Sequence, residues 1–223
     1  VTDHDRPARA LLLDLDGTIA DTLPHIFDAF RHAVAPWVEP APTDAEIEAR
    51  FGPPERECLA LFVPAADVDA AEERFHAFYE SRYAAAVAIV EGVEAAIDDA
   101  RARGWRVGIF TGKGRRSATF TLRELGIWDR VECLVSGDDV VKPKPDAEGV
   151  HVASRALGVP VPRILLAGDS PADVRAGRDA GCRVAAVLWA AFQPDRLRHA
   201  GADFVCDRVA DLVAAIAQLD AEG

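Results

Sequence analysis

Short apolar runs recur along the chain, each ending in small or acidic residues, and they constrain the fold most. Ala10-Leu11-Leu12-Leu13-Asp14-Leu15-Asp16 is the first. Its continuous apolarity suits a strand buried on both faces of a parallel sheet. Arg106 to Thr111, Glu132 to Ser136, Arg163 to Asp169 and Arg183 to Leu188 are comparable, and Ala202 to Cys206 reads as an edge strand. Segments of helical period lie between them: Val93 to Arg103, Ser117 to Leu125, Asp146 to Leu157, Ala172 to Ala180 and Val209 to Leu219. Gly104, Gly126, Gly158 and Gly181 follow four of these segments and suit helix C-caps. Strand alternating with helix predicts an α/β fold: a Rossmann-like parallel sheet with helices on both faces.

One stretch breaks the alternation. Residues 22 to about 88 hold no convincing strand; Thr22 to Ala35, Asp44 to Arg50 and Ala65 to Ala86 read as helices joined by proline-rich turns. The expected organisation is a core of residues 1–20 and 89–223, with residues 21–88 forming a small all-helical cap inserted after the first strand. Two short linkers, near Ala20 to Thr22 and Val90 to Gly92, would let the cap open as a body.

Composition narrows the function. A formal net charge of −12 argues against a sequence-blind nucleic-acid surface, which needs Lys and Arg in excess. No apolar stretch reaches membrane-spanning length, and VTDHDRPARA lacks an apolar signal core. The four cysteines (Cys58, Cys133, Cys182, Cys206) show neither CxxC pairing nor metal spacing and read as reduced thiols. The expectation is a cytoplasmic monomer or homodimer with no nucleic-acid or membrane partner.

Four segments carry chemistry. Asp14-Leu15-Asp16-Gly17-Thr18 places two carboxylates at the end of a buried strand, where open α/β sheets bind ligands. Calcium loops also use Asp-x-Asp-Gly, but need further oxygen ligands and a late Glu in the same segment. Gly168-Asp169-Ser170-Pro171-Ala172-Asp173 follows a second buried strand; Asp169 and Asp173 could join the first pair, while Asp169 or Ser170 could equally cap the next helix. Two unit charges ~4 Å apart repel by roughly 4 kcal/mol at an effective dielectric of ~20, so converging carboxylates require positive charge among them. An oxygen-rich set suits Mg²⁺. Lysine is scarce (Lys113, Lys142 and Lys144), and two of the three fall in the stiff segment Val141-Lys142-Pro143-Lys144-Pro145, which could aim one at a phosphate or form a solvated turn. Thr111-Gly112-Lys113 ends another strand and could offer a hydroxyl and backbone N–H groups to phosphate oxygens.

Taken in order, these four segments resemble the motifs of the haloacid dehalogenase superfamily, and the resemblance spans essentially the whole chain. Gly168 to Ala180-Gly181 looks most like the phosphoglycolate-phosphatase-like branch, and the helical insertion matches its cap of the first type. Gly112 departs from the Asn of many relatives. The resemblance implies a phosphoric monoester hydrolase acting on a small phosphorylated metabolite. Asp14 would be the nucleophile and Asp16 the acid and base. Mg²⁺ would be held by Asp14, the Asp16 backbone carbonyl, Asp169 and, directly or through water, Asp173. Lys142 would neutralise the nucleophile and phosphoryl group, with Thr111 and Gly112 binding phosphate. The cap has no lysine; Arg50 or Arg56, in the turn where resembling caps place their specificity loop, would meet an anionic leaving group. His25, His32, His76 and His151 read as surface or cap residues. Rival readings on the same core are a β-phosphoglucomutase-like phosphosugar mutase and a pyrophosphatase or nucleotidase. The mutase reading is weakened because Gly52-Pro53-Pro54-Glu55-Arg56-Glu57 lacks the Ser of the mutase loop and displaces its Arg.

Overall fold

A computed structural model describes residues 8–222; the polar stretch read at the N-terminus lies largely outside them. Six strands, β1 (Ala10–Leu13), β2 (Arg106–Phe110), β3 (Cys133–Val135), β4 (Ile164–Gly168), β5 (Arg183–Val187) and β6 (Phe204–Cys206), form one sheet. All neighbours pair parallel, in the order β3-β2-β1-β4-β5-β6. β1 is fully buried between β2 and β4, with Leu13 opposite Ile109 and Ala167. Successive crossovers leave β1 in opposite directions, so its carboxyl end opens a crevice beside those of β2 and β4.

Helices cover both faces. Leu11, Leu13, Val107, Ile109 and Leu165 pack on one side against Val93, Ile97, Leu122, Leu212 and Ile216. Leu12, Phe110, Leu166 and Val184 pack on the other against Val150, Ala153, Leu157 and Val174. Gly158 and Gly181 occupy the left-handed C-cap position expected of them.

Between β1 and β2 lie α1 (Leu23–Val34), α2 (Asp44–Glu48), α3 (Glu55–Leu59) and α4 (Val68–Ala86), followed by α5 (Val93–Ala102) of the core. The first four hold a hydrophobic cluster of their own, with Phe27, Phe30, Ile47, Leu59, Phe75 and Tyr79 at its centre. α3 is not among the expected helices: it starts directly behind Pro53-Pro54, which reads in sequence as a turn. The segments entering and leaving this layer touch through an antiparallel bridge of Ala20 with Ile89 and a hydrogen bond from Val90 N to Ile19 O of 2.9 Å.

The core continues with α6 (Arg115–Glu124), α7 (Glu148–Leu157), α8 (Pro171–Ala180), α9 (Pro194–Arg198) and α10 (Val209–Ala221). Helix α9 is the second short helix that the sequence did not reveal. The four cysteines are free thiols, three of them buried and Cys133 half-buried. Burial pushes Cys58, Cys182 and Cys206 up to about 12, which suits packing rather than reactivity. Among the described residues no helix is long and apolar enough to cross a membrane.

Candidate active site

The strand ends bring together Asp14 after β1, Thr111 after β2 and Asp169 after β4. They border a cavity of about 360 Å³ whose far wall is made by α1, α2 and α3. Asp14 is fixed by the sheet, since its N–H donates to Ala167 O at 2.9 Å. One carboxylate oxygen, Oδ1, accepts from Leu15 N at 2.7 Å; the other, Oδ2, lies 3.1 Å from Lys144 Nζ. Gly17 turns the chain sharply behind it with φ +74°, and a β-carbon there would lie 2.1 Å from Asp169 Oδ2. The glycine of the first motif is thus required twice, by its backbone angle and by the approach of Asp169.

Asp173 lies wholly inside, on the first turn of α8. Its Oδ2 accepts from Ser170 N at 3.1 Å and from Ser170 Oγ at 2.6 Å, closing a capping box, and its Oδ1 faces Lys144 Nζ at 2.6 Å as an ion pair. The two readings of this segment therefore hold together: Ser170 is the cap, and Asp173 belongs both to the box and to the site. Asp169 accepts from Thr18 Oγ1 at 3.4 Å. Oxygens of Asp14, Asp169 and Asp173 all lie within 4.8 Å of one another.

Lys144, not Lys142, is the lysine of this centre. The resemblance gave the role to Lys142, but the segment is not extended: it bends at Val141 and Lys142 and turns at Lys144 and Pro145, which sends the two side chains different ways. Lys142 is 71% exposed and faces Asp146 at 3.9 Å. The N–H groups of Val141 and Lys142 donate to Glu148, anchoring that side of the segment at the surface. Lys144 is turned inward, 8% exposed, over the Phe110 ring at 4.6 Å. Burial works against its charge, but Asp14 and Asp173 outweigh burial and hold the ammonium above its ordinary range.

Asp16 faces a second buried lysine. Lys113 Nζ lies 3.1 Å from both of its carboxylate oxygens, and Thr22 donates to Oδ1 at 2.6 Å. The Asp16 side chain is therefore outside the Asp14, Asp169 and Asp173 cluster, and only its backbone carbonyl remains available for the metal role given to Asp16. Lys113, unassigned by the sequence, packs over Tyr79 at 4.7 Å. Burial opposes its charge too, and Asp16, Tyr79 and Glu55 more than restore it.

The carboxylates near the cavity floor are short of positive charge. Burial pushes Asp14 up to about 7, with Lys144 opposing and Asp173 and Asp16 adding to the rise. Burial, Asp14 and Asp173 raise Asp169 well above the usual carboxylate range, against the pull of Lys144. Converging hard oxygen donors with this deficit fit a divalent cation of the Mg²⁺ kind.

Thr111 and Gly112 line the cavity. Thr111 Oγ1 accepts from Lys113 N at 3.2 Å. Gly112 supports the helical layer: a β-carbon there would lie 3.0 Å from Gly52 O, so any side chain would press on the α2–α3 turn.

Arg50 and Arg56 are not on the cavity wall. Arg50 stacks over the Phe62 ring at 4.1 Å and donates to Glu46 O. Arg56 is exposed and paired with Asp69 and Glu72 of α4. The acids that claim it lie on a neighbouring helix, not at Glu55 and Glu57, the acids beside it in sequence. The group that does reach the site from this turn is Glu55, whose Oε2 accepts from Gly114 N at 2.7 Å at the start of α6. Its Oε1 is buried without a partner among the described residues, an omission that costs about 1–3 kcal/mol. Across the cavity mouth, Gln193 Nε2 donates to Glu48 Oε1 at 3.2 Å, and Phe192 packs edge-on to Phe27 at 5.6 Å. His25 and His76 are buried near the seam between α4 and the core, bonded to Tyr79 O and Ser117 Oγ; neither borders the cavity.

A parallel sheet whose central strand ends in a half-buried, lysine-paired aspartate, beside a second aspartate and a cluster of acids, has the arrangement that phosphoryl-transfer hydrolases use. The family model described as haloacid dehalogenase-like hydrolase matches residues 11–187, and the chain belongs to that family. It is 31% identical over 214 residues to the plasmid phosphoglycolate phosphatase of Cupriavidus necator, covering 93% of each chain. It is 32% identical to the N-acetylmuramic acid 6-phosphate phosphatase of Pseudomonas aeruginosa, over 92% of this chain and 93% of that one. It is 29% identical to the pyrophosphatase PpaX of Bacillus velezensis, over 94% and 96%. Among solved structures, a predicted phosphoglycolate phosphatase from Haemophilus somnus superposes with a TM-score of 0.83 at 18% identity, over 95% of this chain and 99% of that one. The chain is accordingly a hydrolase of phosphatase type.

Proposed function

We propose that the chain hydrolyses a small phosphate monoester through an aspartyl-phosphate intermediate, with Mg²⁺ as cofactor, in the manner of the phosphoglycolate-phosphatase-like enzymes. The observation that carries this reading is Asp14, ion-paired to Lys144 and facing a cavity that Thr111, Gly112 and Asp169 also line. Asp14 Oδ attacks phosphorus, and the ester P–O bond breaks with its electron pair passing to the leaving oxygen. Asp16 gives that oxygen a proton. Asp16 then takes a proton from water as the water oxygen attacks phosphorus. The bond between Asp14 and phosphorus breaks, restoring the carboxylate and releasing phosphate. Lys144 holds Asp14 and offsets charge on the phosphoryl oxygens, while Lys113 and Thr22 keep Asp16 in place. Asp14, Asp169 and Asp173 would hold the cation, which supplies charge stabilisation and in-line orientation when bound.

A mutase would have to hold a second phosphate against the cap, and Arg50 and Arg56 are engaged elsewhere. Hydrolysis is therefore the reading we adopt, with a small phosphorylated metabolite as substrate and a cytoplasmic setting. The test is turnover of p-nitrophenyl phosphate with Mg²⁺ by the unaltered chain and by Asp14→Asn. Phosphate release that disappears in the variant supports the reading; equal release by both removes Asp14 from the reaction.

A further inference from the structure

The cavity has two chemically different ends. Lys144 and Lys113 stand at the strand ends, each already facing a carboxylate. The opposite wall is apolar, formed by Leu23, Ile26, Phe30 and Phe51, and carries two acids, Glu48 and Glu55. No lysine or arginine of α1 to α4 lines it. Among the described residues the remaining cation of the lining is Arg196 of α9, an exposed side chain that donates to Gln193 Oε1 at 3.3 Å.

With the phosphoryl group at Asp14, the rest of the ester lies against this second wall. A leaving group with a carboxylate or a second phosphate would bring like charge towards Glu48 and Glu55 in a partly water-free space. Glu55 asks for the opposite. It is 8% exposed, its Oε2 is taken by Gly114 N–H, and its Oε1 is buried with no partner among the described residues. An ionised carboxylate only accepts hydrogen bonds, so what completes Glu55 is an O–H or N–H donor. The bond to Gly114 fixes the carboxylate before any ligand arrives. The apolar side chains suit the C–H face of a ring or short chain, and the cavity volume lies within the range of small-molecule sites.

We propose that Glu55 selects the leaving group, favouring phosphate esters of neutral or cationic alcohols that bear further hydroxyl or amine donors and disfavouring anionic leaving groups. The proposal rests on the phosphatase reading for which end of the ligand meets Asp14. Its test is binding, which separates the two. Calorimetry in Mg²⁺ on the Asp14→Asn protein compares glucose 6-phosphate, glycerol 3-phosphate and ethanolamine phosphate with phosphoglycolate and pyrophosphate. Hydrolysis of p-nitrophenyl phosphate by the unaltered chain reports separately on the phosphatase reading. The tightest donor-bearing ligand should bind at least about tenfold more tightly than either anionic one. Adding Glu55→Gln, whose amide oxygen can still accept from Gly114, should cut that preference by about tenfold, since the place of Oε1 is then taken by an amide NH₂ that cannot accept from the ligand's donor. A preference below tenfold in the Asp14→Asn protein, a preference that E55Q leaves intact, or no binding by any of the five overturns the proposal.

Discussion

The strand-end floor of the cavity and its helical wall meet charge in opposite ways. On the floor each acid has a defined place: Asp14 and Asp173 share Lys144, Asp16 faces Lys113 and Thr22, and Ser170 closes the box with Asp173. On the wall, Leu23, Ile26, Phe30 and Phe51 line the cavity together with Glu55, which has one oxygen bonded to Gly114 and one without a hydrogen-bond partner among the described residues. The floor pairs its acids with two buried lysines around Asp14, whereas the wall leaves one carboxylate oxygen without a hydrogen-bond partner among the described residues. Chemistry and selectivity thus reside in different parts of the chain, and a substitution in one should read out differently from a substitution in the other.

The largest expected effect is on the floor. Lys144→Met should lower kcat/KM by about 10²–10³-fold, because it removes the fixed charge beside Asp14. Lys142→Met, at the surface, should stay within about twofold. Circular dichroism of both variants separates catalysis from folding. Reversal of the two results would restore Lys142 to the role the sequence suggested.

Next comes the cation. A chelator should abolish turnover, with Mg²⁺ restoring it and Ca²⁺ doing so poorly, since looser coordination misplaces the attacking carboxylate. Asp169→Asn should raise the Mg²⁺ concentration for half-maximal activity by about tenfold or more. A titration curve that overlays the parent's removes Asp169 from the cation site.

The seam between floor and wall should give a smaller effect. At Gly137 a β-carbon would lie 2.4 Å from Gly112 O and 2.7 Å from Pro54, so Gly137→Ala must push the α2–α3 turn outward. We expect KM to rise by about three- to tenfold with a smaller change in kcat, because binding contacts move while Asp14 and Lys144 stay. Arg56→Ala, outside the cavity, should alter KM by less than about twofold for anionic and neutral substrates alike. A large, substrate-selective rise for R56A would return selectivity to that arginine.

The smallest effect concerns pH and stability. Burial pushes His76 below its ordinary value, with Glu55 opposing and Arg116 adding to the shift. The unfolded chain takes up this proton near pH ~6.5, and the folded chain only at lower pH. Below ~6.5 the unfolded state therefore binds more protons, and stability falls as pH falls towards the folded value. Urea midpoints at about pH 7.5 and about pH 5.5 should differ less in His76→Gln than in the parent. An unchanged difference would mean that His76 is not the group responsible.

The floor was far more legible than the wall. β1 and β4 are continuous apolar runs ending in acids, so Asp14 and Asp169 could be placed at one sheet edge from order and periodicity alone. What failed there was local. The choice between Lys142 and Lys144 depends on how the segment bends and turns, and on Glu148, which holds the Val141 and Lys142 N–H groups at the surface. The wall failed for a broader reason. Arg56 is claimed by α4, Glu55 is aimed by a bond to α6, and Gln193 and Arg196 arrive from α9, far along the chain. Those pairings are tertiary, and α3 and α9 both start at or directly behind a proline that reads as a turn in sequence.

The most direct test of the central claim is to trap the intermediate on Asp14. The unaltered chain would be mixed with Mg²⁺ and p-nitrophenyl phosphate, quenched during turnover with borohydride, which reduces an acyl phosphate to an alcohol, and mapped by peptide mass spectrometry. Homoserine is expected at position 14, with none in Asp14→Asn and none without substrate. Steady release of phosphate with Asp14 unreduced, or homoserine at a different aspartate, would contradict it.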